Sequence, residues 1–382
     1  MNKLIRITTV PISLDKLLEG QLNYMNSYYD ITAVSSENEY LTRIGKKENV
    51  STFCLEMTRK ITPIKDIIAV VKLYSFLKEN KPLIVHTHTP KAGIVGMLAS
   101  KLAGVPHRLH TVAGLPLLEA TGFKRKLLDF VEKLTYSCAT KVYPNSFGLL
   151  EIIKQNNYCS IEKLKVLANG SSNGIDTSFF DPNHFSTTQN NDLKAKLGLT
   201  DAHFVFVFVG RIVRDKGINE LIAAFDKLNK IHPNCRLLLV GPFEHDLDPV
   251  DVETEQIIQT NNAIVSMGYQ NDVRPYFAIS NALIFPSYRE GFPNVVMQAG
   301  AMGLPCIVSD INGCNEIIKK GENGLIIPVK DTNAIYNSML LLIQDQYLYN
   351  IMKNNARDKI VSLYEQKVVW ESIRDEYLEI QK

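Results

Sequence analysis

Twice along this chain, short apolar runs alternate with longer amphipathic stretches, and a polar interruption separates the two series. That pattern admits few folds. Runs such as LIVHT at 83–87, FVFVFV at 204–209 and ALIF at 282–285 are largely apolar instead of alternating residue by residue, so they must be covered on both faces. Helices between successive strands supply that cover in a parallel sheet. In the first series, strands are predicted over 4–10, 31–36, 51–57, 83–89, 108–112 and 141–143. Helices are predicted over 14–28, 64–77, 92–102 and 124–137, the third of them rich in small residues and able to lie close on a sheet. The pattern fades in DPNHFSTTQNND, and the domain linker is placed between 179 and 199. It restarts with strands over 203–209, 236–240, 263–267, 282–285, 306–309 and 325–328, a helix over 218–230, and a helical tail from 334. The fold class is α/β, with parallel sheets carrying helices on both faces. The expected domains are 1–183 and 196–364, with a last helix over 365–382 packing back onto the first. Two such domains facing each other would put the carboxyl ends of their strands on one cleft, where open sheets of this type bind ligands.

A length of 382 residues is too great for one small core and suits two ordinary domains. The formal net charge of +2 gives no general reason for nucleic-acid binding, so a basic surface has to be local. Six cysteines, at 54, 138, 159, 235, 306 and 314, show neither a CxxC pair nor metal-ligand spacing, and reduced core thiols in a cytoplasmic protein are expected. The first segment, MNKLIRITTVPI, is too short in apolar residues for a signal core, and no stretch reaches the roughly 18 apolar residues of a membrane span. A soluble or membrane-peripheral protein is the expectation.

The segment ALIFPSYREGFPNVVMQAGAMGLP, at 282–305, is the first to suggest chemistry. A strand runs into a turn-rich loop, Pro293 suits the first turn of a helix, and Gly303 with Pro305 reads as its stop. Glu290 then precedes a helix N-terminus, and Gln298 follows about two turns on. Free amides and the positive end of the dipole suit a phosphate, while a carboxylate and an amide can hold sugar hydroxyls. A second segment, VGRIVRDKG at 209–217, also links strand to helix, with Arg211 and Lys216 bracketing the turn. A guanidinium grips a diphosphate through paired hydrogen bonds, and an ammonium adds a compact charge beside it. Gly210 and Gly217 do not make a dinucleotide fingerprint. DINGCNE, at 310–316, follows a strand, and Gly313 is expected to let backbone approach a ligand. Each segment alone also fits an ordinary strand-to-helix loop with solvated charges; their recurrence is what adds weight.

His86 and His88 are expected to point to opposite faces of their strand, which argues against a shared metal, with one at the cleft and the other in the core. Together with His110 they are the acceptor-side candidates. No other His, Cys, Asp or Glu set has a metal-site spacing. FKRK, at 123–126, opens a helix with Leu127, Leu128, Phe130, Val131 and Leu134, and reads as a solvated edge that an anionic membrane would also attract.

HTHTPKAG from His86, GRIVRDKG from Gly210 and PSYREGFPNVVMQAGAMGLP from Pro286 together resemble the family 4 glycosyltransferases, and NGSSNGID from Asn169 resembles that family's approach to its interdomain linker. The resemblance covers nearly the whole chain. It implies the GT-B fold of two facing Rossmann-like domains and retaining transfer from a nucleotide sugar, with no cofactor and no required metal. It places Arg211 and Lys216 on the donor diphosphate and Glu290, the first acid of an E-x7-E motif, on the donor sugar. Gly291, Phe292, Asn294 and Val295 fall where backbone meets the donor, and Gln298 stands where many members carry a second glutamate on the ribose. An amide there keeps the hydrogen bond without the charge. In HTVAG at 110–114, Ala113 replaces a histidine that many members have near the reacting centre, and TTVPISL lacks the glycines often found facing the donor phosphates.

The resulting expectation is a cytoplasmic, membrane-peripheral hexosyl- or N-acetylhexosaminyl-transferase of capsule, O-antigen or exopolysaccharide assembly. A UDP-sugar is the expected donor and a lipid-linked glycan the expected acceptor. Catalysis is assigned to Arg211, Lys216 and Glu290. A nucleotide-sugar epimerase of the same architecture is the rival enzyme, and a non-catalytic nucleotide-sugar-binding partner of an assembly complex is the rival of another class.

Overall fold

The computed structural model describes residues 1–115, 117, 120–246 and 248–382. The chain divides into two compact units, one of residues 1–174 and 366–382, the other of residues 175–365. The division at Gly174 falls before the polar stretch that composition marks as a linker.

The first unit contains β1 (Lys3–Ile7), α1 (Pro11–Leu17), α2 (Gln21–Met25), β2 (Asp30–Ser35), α3 (Asn38–Glu48) and β3 (Ser51–Cys54). It continues with α4 (Pro63–Asn80), β4 (Ile84–His88), α5 (Pro90–Ala103), β5 (His107–Val112), α6 (Gly122–Cys138), β6 (Lys141–Pro144) and α7 (Phe147–Gln155). Its strands form a parallel sheet of order β3-β2-β1-β4-β5-β6. The strand expected over 4–10 stops at Ile7, because Thr8 turns the chain: its hydroxyl donates to Val10 O at 3.0 Å. The helix expected over 14–28 is two helices, broken by Gly20 at φ +75°. One face of the sheet is covered by α4 and α5, with Leu73, Leu77, Val95 and Met97 in the core. The small-residue helix does lie close: a Cβ on Gly96 would sit 2.4 Å from Thr87 Cγ2. The other face packs Leu14, Leu22 and Leu41 from α1 to α3.

The second unit contains α8 (Thr187–Lys196), β7 (Phe204–Val209), α9 (Ile218–Ile231), β8 (Cys235–Val240), α10 (Val252–Thr260), β9 (Ile264–Gly268), α11 (Arg274–Ala278) and β10 (Ala282–Phe285). Then come α12 (Asn294–Ala301), β11 (Cys306–Ser309), α13 (Cys314–Ile317), β12 (Gly324–Ile327), α14 (Thr332–Gln344) and α15 (Gln346–Tyr364). Its parallel sheet has the order β12-β11-β10-β7-β8-β9. The polar stretch read as linker contains α8, started by a capping box in which Ser186 and Gln189 exchange side-chain and backbone bonds. The chain then returns to the first unit as α16 (Gln366–Glu379), which buries Val369, Ile373 and Tyr377 on the face held by α1 to α3.

All six cysteines are free thiols. Among the described residues, no helix is long and apolar enough to cross a membrane.

Candidate active site

The second unit brings the two chemically suggestive segments side by side. Both leave the carboxyl ends of neighbouring parallel strands, β7 and β10, so residues more than 70 positions apart meet: Lys216 Nζ lies 2.5 Å from Glu290 Oε1. Ser287 Oγ donates to the same carboxylate oxygen at 3.0 Å. The two loops are locked by backbone. Tyr288 N donates to Asp215 O at 2.9 Å. Gly217, at φ +70°, passes so close to Pro286 that a Cβ would sit 2.2 Å from its carbonyl oxygen. Lys216 and Glu290 keep only 14% and 18% of their side-chain surface exposed, so this ion pair is far less screened than a surface pair. The Lys216 ammonium also lies 5.8 Å above the Phe285 ring.

Arg211 follows the end of β7 on the loop that carries Lys216, with 44% of its side chain exposed. Its Nη1 donates to Glu244 Oε2 at 2.8 Å. Glu244 lies on the loop after β8, a partner that polar loop composition gives no means of finding. The loops after β7 and β8 touch at two glycines: a Cβ on Gly241 would sit 1.8 Å from Gly210 O. Both cations therefore rest against carboxylates.

α12 begins directly after Glu290. Pro293 is its N-cap and not a residue of its first turn, and Gly303 at φ +80° ends it as the sequence predicts. The first amides of a helix have no acceptor within it, and they carry the positive end of the dipole. Asn294, Val295 and Gln298 are partly exposed along one side of α12, whereas Phe292 turns its ring into the core, 5.4 Å from Tyr364. Gly313, read from sequence as an approach for a ligand, instead admits the neighbouring loop: a Cβ there would meet Gly291 O at 2.7 Å and Phe292 Cα at 2.8 Å. The loop carrying Gly291 and Phe292 is thereby fixed from both sides, by Gly217 and by Gly313.

The three histidines lie inside the first unit and correct the sequence reading. His86 and His88 share one face of β4, as residues two apart on a strand must, and their rings stack at 4.3 Å. It is His110 that lies on the other face, packed against Gly93 of α5. All three are buried. His86 is satisfied at both nitrogens, by Tyr377 Oη at 2.5 Å and Thr111 Oγ1 at 2.7 Å. His110 Nδ1 pairs with Thr87 Oγ1 at 2.8 Å. Burial holds His86 and His88 well below the usual imidazole range and takes His110 down to about 4, so all three are neutral at physiological pH. Of the three, only His88 has a buried nitrogen without a partner, Nε2, and it borders a small recess shared with Thr111, Asn145 and Ser172.

Sequence reasoning missed Arg6. It is fully buried on β1, where its guanidinium donates to Tyr377 Oη at 2.7 Å and to Gln21 Oε1. The arginine within the apolar run KLIRI is the signal that was available, but the run alone does not show which groups satisfy it. Among the described residues, no group of three or more His, Cys, Asp and Glu is placed to hold a metal ion.

Comparison with known proteins agrees with this geometry. Residues 189–359 match the model for "Glycosyl transferases group 1" and residues 18–146 the model for "Glycosyl transferase 4-like". The capsular polysaccharide biosynthesis glycosyltransferase CapM of Staphylococcus aureus is 31% identical over 98% of this chain and 96% of its own length. An Escherichia coli UDP-Gal:alpha-D-GlcNAc-diphosphoundecaprenol alpha-1,3-galactosyltransferase is 32% identical over 93% of this chain and 90% of its own. Among solved structures, Anabaena Alr3699/HepE in complex with UDP superposes with a TM-score of 0.82 at 17% identity, covering 99% of this chain and 100% of that one. Two six-stranded parallel sheets, the paired loops of the second unit and near full-length relatives place the chain in the family 4 glycosyltransferases, on the GT-B fold.

Proposed function

We propose that this glycosyltransferase moves a hexose or N-acetylhexosamine from a UDP-sugar to a lipid-linked acceptor in the assembly of a capsule, O-antigen or exopolysaccharide, with retention at the anomeric carbon. The observation that carries the reading is the Lys216–Glu290–Ser287 cluster, set with Arg211 at the strand ends that precede α12. The names of the relatives support a polysaccharide role, a UDP-linked donor and a diphosphate-lipid acceptor. Arg211 and Lys216 take the diphosphate, and the amides of Gly291, Phe292, Asn294 and Val295 meet phosphate and sugar. Glu290 holds sugar hydroxyls once the diphosphate draws Lys216 from it, and Gln298 binds the ribose. In the reaction the bond from the anomeric carbon to the phosphate oxygen breaks and a bond to the acceptor oxygen forms on the same face. The acceptor proton passes to the departing phosphate. The two side-chain cations, with no metal, neutralise the charge that grows there. The enzyme works at the membrane surface that presents its acceptor.

A thermal-shift screen of nucleotide sugars is the first test, since a ligand at about 100 times its Kd stabilises by about 2.7 kcal/mol. UDP-sugars are expected to stabilise the protein, and label is expected to pass from the stabilising sugar into the lipid fraction. Full transfer by both Arg211→Ala and Lys216→Ala would remove the site assignment. An epimer formed without acceptor would select the epimerase reading, and tight donor binding with no turnover the binding-partner reading.

A further inference from the structure

The longest helix of the first unit's sheet cover is apolar on two sides. α4 turns Ala69, Leu73 and Leu77 into the core, as one side of an amphipathic helix should. On the side away from the sheet, Ile64, Ile67, Ile68 and Val71 follow the same i, i+3, i+4, i+7 spacing, and Ile61 precedes them. These five branched residues are between 49% and 77% exposed. Single exposed apolar residues are ordinary, but four on one helical stripe with a fifth just before it are not. α5 packs between α4 and α6, and α6 adds Phe123, 81% exposed, and Phe130, 62% exposed.

Charge decides what covers the stripe. Arg59, Lys60, Lys65 and Lys72 are all exposed around it. Of the nearby carboxylates, Asp66 is already paired with Lys91, leaving Glu56 and, at the far end of the helix, Glu79. Beside the stripe, Lys65 and Lys72 line a recess with Thr58 and Thr62. A second copy docked by the same face would set this basic rim against itself, whereas anionic headgroups complement it. Position agrees with charge. α4 follows β3 and α6 follows β5, so Ile61, Ile64 and Phe123 lie toward the carboxyl end of the parallel strands, the end at which open α/β sheets present ligands.

We infer that the outer face of α4, from Ile64 to Val71, with Ile61 just before it and the basic rim of Lys65 and Lys72, docks on an anionic lipid bilayer. The inference rests on the lipid-linked acceptor of the proposed function and names the surface that brings the first unit to it. The aliphatic side chains enter the headgroup region while the lysine stems keep their ammonium groups among the phosphates.

The test is co-sedimentation of the full chain with phosphatidylcholine vesicles, with and without phosphatidylglycerol, alongside measurement of its mass in solution. Wild type is expected to bind the vesicles that contain phosphatidylglycerol. Ile64→Glu/Ile67→Glu is expected to lower the partition about tenfold or more. Lys65→Glu/Lys72→Glu is expected to lower it about fivefold per residue, with a weaker dependence on salt. UDP-induced stabilisation, measured on the same samples, is expected to be equal in wild type and variants. That readout separates this surface from the donor site, because loss of UDP binding in wild type refutes the donor reading whatever the vesicles show. Equal sedimentation of wild type and Ile64→Glu/Ile67→Glu overturns the inference. So does wild type that ignores anionic vesicles, or a dimer that this double substitution turns into a monomer.

Discussion

Replacing Lys216 by Met separates the structural role of its ion pair from its proposed catalytic role. Before donor binds, the ammonium is the charged partner of Glu290, whose remaining bond in the cluster comes from Ser287. Lys216→Met leaves that carboxylate, only 18% exposed, without its cation. An under-satisfied group of this kind costs about 1–3 kcal/mol, and at about 2–4 °C per kcal/mol for a domain of this size the Tm should fall by several degrees. On the proposed mechanism the same substitution removes one of two cations from the leaving diphosphate, an expected loss of about 10²–10³ in turnover. Glu290→Gln on the Lys216→Met background removes the orphaned charge, so the Tm should recover while turnover does not. Thermal melts and UDP release from the best stabilising UDP-sugar, measured for both single variants and the double, complete the cycle. A Lys216→Met enzyme that melts early yet turns over within a few-fold of wild type would refute leaving-group neutralisation and leave the pair as a structural clamp.

On the proposed donor assignment Glu244 competes for Arg211, so Glu244→Gln should tighten UDP binding by about twofold to fivefold, the range of an exposed ion pair, with the gain shrinking as salt rises; calorimetric titration reads it. Gly241→Ala should destabilise by about 3 kcal/mol or more, since its Cβ would fall 1.8 Å from Gly210 O at φ +150°, and chemical denaturation measures the loss. The pH dependence follows from the buried histidines. Their folded pKa values lie below the ordinary 6.5, so the unfolded chain takes up protons first, and stability complete above about pH 6.5 falls as pH drops toward 4. Each contributes up to about 1.4 kcal/mol per pH unit, and His110→Gln should flatten the slope of denaturation midpoints against pH. Glu132, raised to about 7 by burial, acts with the opposite sign, so Glu132→Gln should steepen that slope.

The two sheets were legible because their strands are apolar throughout and punctuated by turns. Helices were legible only where an apolar stripe marked them. α3, α7, α8, α10, α11 and α13 went unread: α8 buries none of its residues and α10 only Thr254 and Ile258, so little in the composition of those two separates helix from loop. Gly20 broke a continuous pattern that periodicity alone joins. In the candidate site, the meeting of the Lys216 and Glu290 loops was legible in outline because loops after parallel strands must gather at one end of a sheet. Which cation meets which carboxylate is set by strand order, β7 beside β10 and β8, and local sequence carries no trace of that order. The histidine error had a simpler source, a strand's period of two applied to the wrong pair.

The return of α16 makes the second unit an insertion within the first, and this bears on synthesis. Arg6 leaves the ribosome long before its partner, since the hydroxyl that receives its Nη1 belongs to Tyr377, 371 positions later. At about 5–20 residues per second, that wait is roughly 20–75 s. During it, the first unit's sheet has a cation at its centre and lacks α16 on one face. The inserted lobe, continuous in sequence, has all of its helices and strands in hand by Glu365, before α16 completes the first, so the lobe that begins last is the one equipped to finish first.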